Sequence, residues 1–126
     1  MVRKGETKTV LVIEDEADVR NFASRVLELE GYRILRAEGG DGGLRLMREN
    51  RVALVLLDLR LPGDDGWSVL AQMQSEPGLS AIPVIVFTGS AAESQRDQAL
   101  AVGATDYLVK PMSAASLRET VARILN

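Results

Sequence analysis

Residues Ala53 to Trp67 read ALVLLDLRLPGDDGW, and the fold turns on this stretch. Five apolar residues, Ala53, Leu54, Val55, Leu56 and Leu57, run without a polar interruption to one carboxylate, Asp58. A run this short, apolar at odd and even positions alike, is the pattern of a strand covered on both faces, as in a parallel sheet. Pro62, Gly63 and Gly66 then break the chain and turn it back. Asp58 is thereby placed at the carboxyl end of an inner strand, where open α/β sheets keep their binding crevice.

The same grammar repeats on either side. Thr9 to Ile13 (TVLVI) reads as a first buried strand ending at Glu14, Asp15 and Glu16. Val19, Phe22, Ala23, Val26 and Leu27 follow at helical spacing, and Gly31 stands where a helix C-terminus favours a left-handed residue. Tyr32 to Ala37 reads as a second strand, and Gly39 to Gly43 opens a helix to about Asn50. Its glycines each cost roughly 1 kcal/mol, so this helix is expected to be the least stable. After the central strand, Asp65 is expected to cap a helix through Ser75, with Val69, Leu70 and Met73 inward and Trp67 as a partly buried anchor. Val84 to Phe87, ending on Thr88 and Gly89, is a fourth strand, with a helix from Ala92 to Val102 stopped by Gly103. Thr105 to Val109 is a fifth strand ending at Lys110-Pro111; Ser113 caps a last helix striped by Leu117, Val121, Ile124 and Leu125.

Strands alternating with helices five times imply an α/β domain of (βα)5 type, doubly wound with helices on both faces. Right-handed crossovers favour the strand order 2-1-3-4-5. The 126 residues suit one domain, 9–126, after a loose lead-in over 1–8. Composition narrows the chemistry. Without cysteine or histidine there is no disulfide, thiolate, His-based triad or His metal site. A net charge of −3 with no Lys/Arg cluster gives no direct nucleic-acid partner, and no apolar run is long enough to cross a membrane. The polar start lacks the core of a signal peptide, so a cytoplasmic location is expected.

The topology brings four strand ends to one edge: Glu14 and Asp15, then Asp58, then Thr88, then Lys110. Each alone has an ordinary reading: acids at a helix N-terminus, a turn-forming Asp, a strand Thr, a solvated Lys. Together they are a phosphoryl-handling set. Three crowded carboxylates need a cation, and oxygen ligands suit Mg²⁺. An ammonium and a hydroxyl can bind phosphoryl oxygens, and one carboxylate can act as nucleophile.

VLVIEDE (Val10 to Glu16), LLDLRLPGDDGW (Leu56 to Trp67), VIVFTG (Val84 to Gly89) and GATDYLVKP (Gly103 to Pro111), in that order and spacing, resemble a response-regulator receiver domain, the phosphoacceptor module of two-component signalling, with its flavodoxin-like fold. The resemblance runs from Thr9 to Leu125. It implies that Asp58 accepts a phosphoryl group from a histidine kinase or histidine phosphotransfer protein. It implies that Asp15, Asp58 and the Arg60 backbone carbonyl bind Mg²⁺ (or Mn²⁺), with Glu14 acting through a water. Thr88 and Lys110 would hold phosphoryl oxygens, the small Gly89 would leave room, and Lys110-Pro111 would be cis. Tyr107 would be a switch residue turning inward as Thr88 moves. The surface from Ala91 to Asn126 would answer to a downstream protein or a fused output domain. Arg60 and Ser90 fall where the family tunes phosphoryl lifetime, and Arg60 is expected to fold over the site. Glu14 departs from the commoner Asp at the same charge. Arg96 and Asp106 fit the charged pairing of dimers in the winged-helix group, whereas Ser116 and Thr120 do not.

The function expected is a signalling phosphoacceptor, not an enzyme beyond its own phosphorylation and dephosphorylation. An FMN module is disfavoured, since Glu14-Asp15-Glu16 replaces a phosphate loop. A small phosphatase is disfavoured, since Arg60 stands where its acid/base would be. A receiver-like scaffold that is never phosphorylated is the remaining alternative.

Overall fold

Continuous apolar runs cannot be satisfied at a sheet with one wet face, and the computed structural model covers both faces of every inner strand. It describes residues 7–61, 66–89 and 92–126. Strands and helices alternate as β1 (Thr9–Ile13), α1 (Ala17–Leu29), β2 (Arg33–Ala37), α2 (Gly40–Glu49), β3 (Leu54–Asp58), α3 (Gly66–Ser75), β4 (Val84–Thr88), α4 (Glu93–Val102), β5 (Asp106–Val109) and α5 (Ala114–Leu125). All pairings are parallel and the order is β2-β1-β3-β4-β5, as the βα alternation predicts. β1, β3 and β4 are buried at every residue; the edge strand β2 has exposed arginines at both Arg33 and Arg36.

Strand residues alternate between two apolar layers, as the period of two requires. Val10, Val12, Leu54, Leu56, Ile85 and Phe87 pack with Ala23 and Leu27 of α1 and Leu117 and Val121 of α5. Leu11, Ile13, Val55, Leu57, Val84 and Val86 pack on the opposite side with Leu44 of α2, Leu70 and Met73 of α3 and Ala99 of α4. Trp67 is partly buried against this second layer, as an anchor of α3. Ala99 is the sole buried residue of α4, so this helix is the most loosely seated of the five described. Gly43 has a packing reason beside its propensity cost: a Cβ there would lie 2.4 Å from Ile13 Cδ1.

Phe22 departs from expectation. Its spacing suggests the buried stripe of α1, yet it is 42% exposed, and Ser24 is buried instead. The stripe is centred on Ala23 and Leu27, one residue (about 100°) round the helix. Ser24 is accommodated because its hydroxyl donates to the Arg20 carbonyl and accepts from Arg36 Nε. The α5 stripe gains Thr120, whose hydroxyl donates to the Ser116 carbonyl, while Ile124 and Leu125 are half-buried. Ser113 caps α5 as expected, accepting from Ser116 N–H. Gly31 and Gly103 close α1 and α4 with φ of 95° and 130°. The turn at Pro62 and Gly63, the Asp65 cap, Ser90, Ala91 and most of the lead-in lie outside the described residues.

Candidate functional site

Register fixes where the strands end. Ile13 pairs with Leu57, Asp58 with Phe87 and Thr88 with Val109, so the residues just past β1, β3, β4 and β5 form one edge. Asp58 and Thr88 are themselves the last strand residues, one position further than the apolar runs imply. Glu14 continues the ladder by donating its N–H to the Ala37 carbonyl, and Lys110 N–H donates to the Thr88 carbonyl. Side chains leaving these positions are therefore held by backbone on both sides.

The structure brings Glu14, Asp15, Asp58 and Lys110 together. One carboxylate oxygen from each acid lies within 4.8 Å of the others. Glu14 is fully buried and Asp58 is 3% exposed, while Asp15 is solvent-accessible. Lys110 Nζ donates to Glu14 Oε1 at 2.5 Å and to Asp58 Oδ2 at 3.2 Å, and sits 4.8 Å over the Phe87 ring. Asp58 Oδ1 accepts the Arg60 N–H at 3.0 Å, and Glu14 Oε2 accepts the Glu16 N–H at 3.1 Å. Burial pushes the Glu14 carboxyl up to about 7, with the Asp58 charge adding, against the bonds from Lys110 and Glu16. Burial alone would lower Lys110, but its bonds to the two carboxylates prevail and hold it above the usual lysine range.

One ammonium against three carboxylates leaves an excess of negative charge in a poorly hydrated place, which a hard divalent cation relieves. The donor set therefore fits Mg²⁺. Thr88 Oγ1 is fully buried and has no hydrogen-bond partner among the described residues. A buried hydroxyl left unpaired is rare, and this one ends β4, the strand paired with β3, which ends in Asp58. Gly89 adds no obstruction: a Cβ built there would meet nothing within 4 Å. The Lys110-Pro111 bond is cis, as the resemblance implies.

One expectation is corrected. Arg60 does not fold over the site: it is exposed, its guanidinium bonds to no described residue, and its N–H turns back to Asp58. Tyr107, the expected switch residue, is 8% exposed within the α2/α3/α4 layer. Asp106, a candidate for pairing across a dimer, bonds Arg123 of its own chain at 2.8 Å.

Two contributors escaped the sequence reading. Gly66 was visible only as a chain breaker, yet a Cβ there would fall 2.2 Å from the Asp58 carbonyl oxygen. Its N–H donates to the Leu59 carbonyl, so α3 starts directly against the backbone of Asp58 and Leu59. Arg20 donates to the Glu14 and Asp15 carbonyls. A cation in the first turns of a helix, against the dipole, was the available signal. Beside Lys110, a groove of about 490 Å³ is floored by Val19, Phe22, Pro111 and Met112 and edged by Glu16 and Asp18.

Comparison with known proteins agrees with this geometry. Residues 10–122 match the response regulator receiver domain family. The transcriptional regulatory protein ResD of Bacillus subtilis is 40% identical over 124 residues, covering 98% of this chain and 49% of ResD. A response regulator of Chloroflexus aurantiacus superposes with a TM-score of 0.90 at 28% identity, over 95% of this chain and 98% of that one. The receiver domain of the sensor histidine kinase PA1611 of Pseudomonas aeruginosa, solved with a magnesium ion in its active site cleft, gives 0.86 at 28% identity, over 94% and 98%. The chain spans about half the length of the curated relatives it matches, and these are transcriptional regulators. The lack of a basic cluster here therefore gives no support for excluding nucleic acid as a partner of a regulator built on such a domain. Among the described residues no helix is long and apolar enough to cross a membrane. With the family matched over nearly its whole length and the fold and acidic edge in place, the chain belongs to the response regulator receiver domains.

Proposed function

We propose that Asp58 is the phosphoacceptor and that the chain works as a phosphorylation switch in a two-component pathway, in the cytoplasm, fed by a histidine kinase or histidine phosphotransfer protein. The observation that carries this is the convergence on Asp58 of a cation, Lys110, and two further carboxylates, at the strand edge where β4 ends in an unpaired buried hydroxyl, Thr88 Oγ1.

Asp58 Oδ forms a bond to phosphorus while the phosphorus–nitrogen bond of a donor phosphoimidazole breaks, the electron pair leaving with the ring nitrogen. The carboxylate is placed as a nucleophile, bonded by the Lys110 ammonium on one oxygen and aimed by the Arg60 N–H on the other. Asp15, Asp58 and the Arg60 carbonyl would hold Mg²⁺, with Glu14 acting through a water; the ion supplies charge neutralisation at the phosphoryl oxygens. Lys110 would exchange its Asp58 contact for a phosphoryl oxygen. Thr88 would donate to another, which gives its hydroxyl the partner it lacks. A phosphoryl group adds nearly two negative charges and three acceptors, so these contacts exist only in the modified state, as a population shift requires. The loosely seated α4 is the element this would bias. The Phe22–Pro111–Met112 groove, opening beside Lys110, is an apolar seat for the phosphodonor.

Phosphoramidate, which carries the phosphorus–nitrogen bond without a protein, tests this reading. Incubation with Mg²⁺ is expected to add one phosphoryl group, mapped by borohydride reduction and peptide mass spectrometry to Asp58. Modification mapped elsewhere, or none from any donor, would leave the non-phosphorylated scaffold as the better reading.

A further inference from the structure

The loop between β1 and α1 carries two of the three carboxylates but belongs to no strand or helix. Its backbone carbonyls at Glu14 and Asp15 accept from one group, Arg20 Nη1, at 2.9 and 3.3 Å. The Arg20 side chain is 14% exposed, and its other terminal nitrogen stands 3.5 Å from Glu38, which is 80% exposed. So open a pair contributes little, whereas charge-assisted bonds to two adjacent carbonyls are the stronger contacts. Arg20 is itself fixed to the helix: its N–H donates to the Glu16 carbonyl and its carbonyl accepts from Ser24 Oγ. The side chain thus ties the acid-bearing loop to the body of α1.

We infer that Arg20 is a positioning residue for the cation site. Its guanidinium clamps the Glu14 and Asp15 peptides so that their carboxylates stay within reach of Asp58. This rests on the reading of that cluster as a Mg²⁺ site. The inference has a distinctive sign. As a bare charge near the acids, Arg20 opposes a divalent cation, and its removal would tighten binding. As a clamp it favours the cation, and its removal loosens binding. Lysine keeps the charge but ends one atom short of Nη1 and lacks the rigid guanidinium plane that holds that nitrogen between the two carbonyls.

The test is Mg²⁺ titration by calorimetry of the wild-type chain, Arg20→Lys, Arg20→Met and Glu38→Gln, with thermal melting in EDTA alongside. The clamp predicts that both Arg20 variants raise the Mg²⁺ dissociation constant about tenfold, as supporting partners of metal ligands do. Glu38→Gln should stay within about twofold. Tighter binding by Arg20→Met with Arg20→Lys unchanged would overturn the clamp in favour of charge alone. Unchanged affinity in both, with only a lower melting point, would reduce Arg20 to a structural role. No Mg²⁺ binding by the wild type would overturn the site reading itself, and the clamp with it.

Discussion

Replacing Gly66 by alanine places a Cβ 2.2 Å from the Asp58 carbonyl oxygen, 2.5 Å from Leu59 Cα and 3.0 Å from the Asp58 carbonyl carbon. All three atoms are backbone, so no flexible side chain can swing aside. Restoring ordinary contact requires α3 and the Asp58–Leu59 peptide to separate by about an ångström. Overpacking of this kind costs roughly 1–3 kcal/mol. For a chain of this size that is a fall in melting temperature on the order of 5–15 °C. The functional cost is separable from the stability cost. Asp58 is aimed by its contacts with Arg60 N–H and Lys110, and a displacement of about 1 Å in a reacting group can lose about 10²-fold in rate. Melting and the initial rate of phosphorylation by acetyl phosphate, measured well below the melting point, report the two effects. Gly78→Ala is the control, since a Cβ there meets nothing within 4 Å and the backbone is not left-handed; it should stay within about 0.5 kcal/mol. A Gly66→Ala protein that melts and phosphorylates like the wild type would refute the close approach of α3 to the acceptor.

Four other outcomes follow from the same geometry. Glu14 holds its proton to about pH 7 when folded but releases it near its ordinary 4.5 when unfolded, so in EDTA stability should fall by roughly 1–3 kcal/mol as pH rises through that window and then level off; Glu14→Gln should flatten urea midpoints measured across it. Lys110→Met removes a competing cation and should tighten Mg²⁺ by more than about tenfold, since a unit charge about 4 Å from a divalent ion opposes it by roughly 2 kcal/mol even in a water-like medium, read by calorimetry. Thr88→Val deletes a buried unpaired hydroxyl and should raise the urea midpoint of the unmodified protein by about 1 kcal/mol in stability, while abolishing the phosphorylation-dependent change in amide spectra. Arg48→Ala breaks a bidentate but exposed pair with Glu76 and should leave the urea midpoint close to that of the wild type in the same denaturation assay.

The architecture was legible because its signals are local. Apolar runs such as Leu54 to Leu57, bounded by Gly and Pro, specify buried parallel strands, and parallel order dictates which ends meet. That is why the residue pattern alone puts Glu14, Asp15, Asp58, Thr88 and Lys110 on one edge. What was not legible depends on backbone paths and rotations finer than a residue pattern. Phe22 missed the core by one helical position, because a stripe containing Ala23, Ser24 and Leu27 has its centre fixed by the facing sheet. Arg60 is exposed, and its peptide, not its side chain, addresses Asp58. Gly66 and Arg20 act through contacts with backbone atoms, eight and five or six residues away, that no periodicity encodes.

The central claim is that Asp58 is a Mg²⁺-dependent phosphoacceptor, and intact mass after incubation with acetyl phosphate tests it most directly. The wild-type chain should gain one phosphoryl group with Mg²⁺ and none in EDTA, and Asp58→Asn should gain none under either condition. An adduct of equal yield on Asp58→Asn, or one indifferent to Mg²⁺, would contradict the account.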